Sequence, residues 1–165
     1  MARILLIGGG ARGRALATDM RAAGNVVRIT TRTEAGRAAV EATGAECWIG
    51  TPDRLATLRR ALDGVAIACW LLGNACGTPD ELEELHASRL QFFVTQTIDT
   101  TIRGLLYEAA GSVDAATLAR GAALIRHAAE LNSIPLEILQ ADPADSSAWR
   151  AGALAAIDAL LTRPR

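Results

Sequence analysis

Residues 3–32 read RILLIGGGARGRALATDMRAAGNVVRITTR, and this stretch decides the fold. The apolar run Ile4-Leu5-Leu6-Ile7 stops at Gly8-Gly9-Gly10-Ala11-Arg12-Gly13, and a helical pattern follows at once. A second apolar run, Val26 to Ile29, ends in Thr30-Thr31-Arg32. The order predicts a buried strand, a tight glycine turn, a helix and a parallel return strand. Gly8, Gly10 and Gly13 fit the G-x-G-x-x-G spacing of a dinucleotide-binding turn. There the first glycine allows the turn and the second lets backbone approach a pyrophosphate. The third lets the helix sit close to the strand, so free N–H groups at the helix start face the phosphates. As a structural turn alone, the glycines would need no such spacing between a strand and a helix.

Working outward, the composition narrows the function classes. The chain has 165 residues, 50% of them hydrophobic, and a net charge of −1. Those values predict a single domain over residues 1–165 and argue against a polyanion-binding surface, hence against a nucleic-acid partner. No apolar run reaches bilayer-spanning length and no cleavable signal precedes the first strand, so the expected location is cytoplasmic, with no membrane partner. Cys47, Cys69 and Cys76 lack metal-ligand spacing; they read as small hydrophobes, and no metal site is expected. All 17 basic residues are arginine. Without lysine, Schiff-base chemistry and a P-loop are excluded.

Further along, residues 33–43 read as a helix closed by Gly44, and Glu46 to Ile49 as a strand. Thr51-Pro52-Asp53 carries a helix-start signal, predicting a helix to about Leu62. Residues 65–72 (VAIACWLL) are apolar throughout, as a central parallel strand requires. After the loop 73–77, Thr78-Pro79-Asp80-Glu81 forms a capping box opening one helix to about Gln96. Strand 104–108, helix 115–131 capped by Asp114, strand 136–139 and helix 146–161 complete the chain. The expectation is an α/β, three-layer, doubly wound Rossmann fold, its six-stranded parallel sheet in the order 3-2-1-4-5-6.

In such a sheet ligands lie at the carboxyl ends of the strands, where the winding reverses. That rule nominates Gly8, Gly9, Gly10, Ala11, Arg12, Gly13, Thr31, Arg32, Gly50, Thr51, Gly73 and Asn74 as cofactor-binding. An acid after the second strand would favour NAD; Thr30-Thr31-Arg32 instead offers two hydroxyls and a guanidinium, which favour NADP. Arg12 is a second candidate for the same 2′-phosphate. As ordinary surface charges, both arginines would be solvated and unspecific.

With the strands in register, the chain resembles the atypical and extended branches of the short-chain dehydrogenase/reductase superfamily. GGGARG (8–13) is similar to a turn variant of atypical members, TPDRLATLRRALDGVAIACWLLG (51–73) to the segment leading into strand four, and GLLYEAAGS (104–112) to strand five and its loop. The resemblance implies a Rossmann NAD(P)-binding protein acting as a small-molecule oxidoreductase, with Ser112 beside the reaction site. It also implies a homodimer through the helices after strands four and five. Two departures stand out. The superfamily's Tyr-x-x-x-Lys pair is absent, because there is no lysine and Tyr107 falls within strand five. On the same resemblance, the C-terminal substrate region of extended members is expected to be missing as well. An alternative is therefore a non-catalytic NAD(P) sensor or subunit of a complex.

Two catalytic candidates remain. His86 stands three residues before Arg89, on one face of the expected helix, as an acid/base beside an anion clamp, or as mere surface decoration. Ser112 reads either as a substrate hydrogen-bond donor or as a turn residue. Glu108 ends a strand with no partner identifiable, and His127, Trp48, Trp70 and Trp149 read as core or interface.

Overall fold

The computed structural model of the protein describes residues 1–164. Its strands are β1 (Arg3–Gly8), β2 (Val26–Thr31), β3 (Glu46–Ile49), β4 (Ile67–Leu71), β5 (Gly104–Glu108) and β6 (Leu136–Leu139). Its helices are α1 (Gly10–Ala22), α2 (Arg37–Glu41), α3 (Pro79–Leu85), α4 (Ser88–Thr97), α5 (Ala115–Leu131) and α6 (Ser146–Thr162). All six strands are parallel and ordered β3-β2-β1-β4-β5-β6, the arrangement expected of a Rossmann fold.

The unbroken apolar runs are explained by two cores, one on each face of the sheet. Successive side chains of a strand point to opposite faces. Ile4, Leu6, Ile67, Cys69 and Leu106 accordingly meet Leu16 and Met20 of α1 and Trp149, Ile157 and Leu160 of α6. Leu5, Ile7, Ala68, Trp70, Leu105 and Tyr107 meet Leu90 and Phe93 of α4 and Ala122 and Ile125 of α5. Ile4, Leu5, Leu6 and Ile7 are each 0% exposed, and each burial of this kind contributes roughly 1.5–3 kcal/mol. β1 and β4 are adjacent, with Leu6 paired to Cys69. The winding therefore reverses between them, and the crevice at their carboxyl ends is where the glycine turn lies.

Three expected helices differ in the structure. Residues 53–62 form no α-helix but two 3-10 turns, Leu55–Thr57 and Arg59–Leu62. The Trp48 indole N–H donates to the Thr57 carbonyl (2.7 Å), which an α-helix would have offered to Ala61, and the Ala61 N–H turns to Leu58 O instead. The Thr51 hydroxyl accepts from Asp53 N–H (3.2 Å), closing a local turn where a helix start was expected. Residues 33–43 give a 3-10 turn, Glu34–Gly36, and only the short α2. The single helix expected up to Gln96 is broken into α3 and α4 at His86 and Ala87, where the His86 side chain turns inward to Tyr107 of β5 and to the Leu72 carbonyl just past β4. The capping box at Thr78 and Glu81 and the Asp114 cap form as read from the sequence.

Candidate functional site

The glycine turn places each glycine for a separate reason. Gly8, Gly9 and Gly10 have φ of 79°, 95° and 53°, values that L side chains rarely adopt. A Cβ on Gly8 would stand 2.8 Å from the Leu71 carbonyl oxygen, so β1 and β4 could not stay paired there. A Cβ on Gly13 would stand 3.1 Å from the Gly8 carbonyl oxygen, and this close approach seats α1 against the end of β1. Above Gly10 there is open space: nothing lies within 4 Å of a Cβ built on it. Gly9 is the N-cap of α1 and Gly13 N–H is bonded to Gly9 O (3.0 Å). The N–H groups of Gly10, Ala11 and Arg12 precede the first helical bond and stand free for an anion. The first turn of α1 carries no acidic residue to compete for them.

On the side of β2 and β3, Arg32 stands at the crevice 65% exposed, its Nη2 3.2 Å from Asp53 Oδ2. Beside the pair opens a cavity of about 260 Å³, lined by Arg32, Asp53, Cys76, Glu81, Leu82 and Arg89 among others. Thr31 Oγ1 donates to Thr33 O (3.0 Å), Gly50 N–H to Thr31 O (2.9 Å) and Thr51 N–H to Thr57 Oγ1 (2.9 Å). These bonds shape the floor beneath Arg32 while spending the polar groups of Thr31, Gly50 and Thr51 within the protein.

Arg12 is placed differently from the sequence expectation. Instead of reaching towards Arg32 it crosses to the opposite half of the sheet and pairs with Glu108 at the end of β5, with Nη2 2.5 Å from Oε1. The fully buried carboxylate draws the guanidinium in, and Arg12 is left 15% exposed over the Trp149 ring. Arg32 alone of the two thus stands at the end of β2. Sequence reasoning noted Glu108 without finding its partner. A carboxylate at the end of a central buried strand in a chain without lysine needs an arginine, and that was the available signal.

Gly73, Asn74 and Ser112 are brought together by the locked loops after β4 and β5. Gly73 N–H donates to Glu108 Oε1 (2.7 Å), Val113 N–H to Gly73 O (2.9 Å) and Ser112 N–H to Asn74 Oδ1 (2.8 Å). A Cβ on Gly73 would collide with the Ala110 carbonyl oxygen, so glycine is required there by packing.

His86 is 1% exposed and both its ring nitrogens are engaged within the protein. A carbonyl can only accept, so Nε2–H donates to Leu72 O (3.1 Å) and Nδ1 accepts from the Tyr107 hydroxyl (2.8 Å). Tyr107 reaches that position past Gly121 of α5, where any Cβ would meet its hydroxyl. Arg89 faces away from His86's partners, its Nη1 donating to Asp53 O (2.7 Å), so the two do not converge on one ligand. Burial lowers the His86 pKa from the ordinary 6.5, although its bond to Leu72 O works the other way. The Tyr107 hydroxyl is shifted upward by burial and by the Glu108 charge. Because the folded-state His86 pKa is depressed, the unfolded chain takes up the proton first as pH falls. Stability is therefore expected to drop progressively below about pH 6.5, and His86→Gln to remove that part of the slope. Thermal melts of both proteins between about pH 5 and 7 check it; equal slopes would contradict the assignment.

No protein family matches the sequence, and no curated protein matches it. Solved structures do match in fold. A short-chain dehydrogenase/reductase superfamily protein from Agrobacterium tumefaciens with bound NAD superposes with a TM-score of 0.67 at 18% identity, covering 84% of this chain and 48% of that one. Triphenylmethane reductase of Citrobacter sp., complexed with NADP(H), gives a TM-score of 0.64 at 17% identity over 84% of this chain and 48% of its own. UDP-glucose 4-epimerase of Thermotoga maritima, with UDP-glucose, gives 0.70 at 11% identity, with 84% and 54% covered. The chain spans about half the length of these proteins. The sheet order, the glycine turn at the β1–α1 junction and these superpositions agree: the chain has the Rossmann fold that these proteins share.

Proposed function

We propose that the crevice over the glycine turn binds a nicotinamide dinucleotide, NADP(H) in preference to NAD(H). The observation that carries this reading is the open space above Gly10, at a helix start whose first N–H groups are free. The solved structures of this fold with NAD or NADP(H) bound support the cofactor class. Gly8, Gly9, Gly10, Ala11 and Gly13 would hold the pyrophosphate, and Arg32 the 2′-phosphate. Such a cofactor supplies hydride transfer when bound, so the corresponding activity is that of a small-molecule oxidoreductase.

A second reading, a binding module without catalysis, is favoured by a specific observation. The titratable side chains suited to moving a proton, His86 and Tyr107, are spent inside the fold on each other. Phe92 of α4 and Leu131 of α5, 54% and 71% exposed, support a homodimer through these helices, and free Cys47, Cys69 and Cys76 suit a reducing, cytoplasmic setting.

Calorimetric titration with NADPH, NADP⁺, NADH and NAD⁺ tests the binding. The expected result is a Kd of roughly micromolar, about −8 kcal/mol, for the phosphorylated forms and weaker binding of the others. Absence of binding for all four would overturn the reading. Oxidation of bound NADPH by a panel of simple carbonyl compounds would decide for the oxidoreductase over the module.

A further inference from the structure

Glu108 is 0% exposed, the only charged side chain in the core among the described residues. Its carboxylate receives four donors from three separate segments. Oε1 accepts from Arg12 Nη2 (2.5 Å) and Gly73 N–H (2.7 Å). Oε2 accepts from Trp149 Nε1–H (2.6 Å) and Arg12 Nε–H (3.3 Å). Arg12 in turn donates from Nη1 to Gly9 O (3.3 Å) and from Nη2 to Leu71 O (3.5 Å). One carboxylate thus ties together the glycine turn, the end of β4 with its loop, and the first turn of α6.

The geometry of that tie bears on the crevice. The fork of Arg12 meets the two carboxylate oxygens side by side, which fixes orientation as well as distance. Its bond to Gly9 O holds the N-cap of α1, the same residue whose carbonyl starts the helical ladder at Gly13. The pair is neutral as a whole, so it adds no net charge to the crevice and leaves anion binding to the turn amides. A buried ion pair often contributes little net stability compared with an apolar pair, because desolvation offsets the Coulomb gain. Its effect here falls on where the turn stands relative to the loop after β4.

We propose that Glu108 is the positioning residue of the glycine turn. Acting through Arg12 and Gly73, it sets the separation between the turn amides and the β4 loop that a diphosphate-bridged ligand must span. Only the ligand's identity rests on the dinucleotide reading; the positioning does not.

Glu108→Gln tests it. Glutamine keeps the shape but replaces one acceptor oxygen with an NH₂ group, so two of the four converging N–H donors lose their partner. The expected result, in ligand-free protein, is faster hydrogen exchange at the Gly13 amide, whose bond to Gly9 O opens the ladder of α1 and which Glu108 does not touch directly. The Kd for ADP-ribose is expected to rise about tenfold or more. Where Glu108→Gln fails to fold, the double variant Arg12→Met with Glu108→Gln removes both charges without stranding either, and the same two changes are expected of it. Wild-type exchange at the Gly13 amide together with wild-type ADP-ribose affinity overturns the proposal, even if the melting temperature falls, since that pattern marks a merely structural role. If the wild-type protein itself binds no ADP-ribose, the dinucleotide reading fails, and exchange alone then decides whether Glu108 positions the turn.

Discussion

Gly13→Val is expected to abolish dinucleotide binding while the sheet survives. The Cβ alone would stand 3.1 Å from the Gly8 carbonyl oxygen, and the obstacle is backbone, which no rotamer change can move. Two further methyl groups force α1 away from the end of β1, carrying its first N–H groups out of place. The cost in stability is about 1–3 kcal/mol, as for an overpacked core position, so the variant still folds and calorimetry reads binding directly. Gly10→Ala is the informative companion. No atom lies within 4 Å of its Cβ, so packing is undisturbed, and φ of 53° costs roughly 1–2 kcal/mol for an L-residue. Its methyl would occupy the space reserved for the phosphate. It is expected to weaken binding with little loss of packing, and if both variants bound NADPH as well as wild type, the turn would not be the site.

Arg32→Ala is expected to weaken NADPH about 10- to 100-fold and NADH by no more than about twofold, the range of one or two charged hydrogen bonds. The reason is the environment of Arg32. Its partner Asp53 is 51% exposed at 3.2 Å, and an exposed pair of this kind contributes about 0–1 kcal/mol. A 2′-phosphate, doubly charged and shaped for the guanidinium fork, displaces that carboxylate at small cost. Asp53→Asn removes the competing anion and is expected to tighten NADPH severalfold without changing NADH. Equal losses of NADPH and NADH in Arg32→Ala would refute the clamp and leave the cofactor preference open to NAD.

The two arginines also mark the boundary between sequence and structure. The sheet, its strand order, the turn and most caps were legible because local chemistry dictates them. Apolar runs such as Ile4 to Ile7 and Ile67 to Leu71 can be satisfied only with both faces covered, and three glycines at fixed spacing between strand and helix admit one turn. Helices bound by a local cap, such as α5 behind Asp114, begin and end where read. Elements that depend on a remote partner did not. The helix expected from Asp53 became 3-10 turns because Trp48, on a neighbouring strand, takes the Thr57 carbonyl. The expected helix to Gln96 broke where His86 found Leu72 and Tyr107. The assignment of Arg12 likewise depended on Glu108, 96 residues further along the chain. The sequence by itself determined the parallel sheet and the place of the crevice, since periodicity and glycine spacing act through near neighbours. Only the tertiary structure decided which charged and polar side chains face that crevice, because a buried carboxylate or imidazole takes whichever partner the packing brings within hydrogen-bond reach.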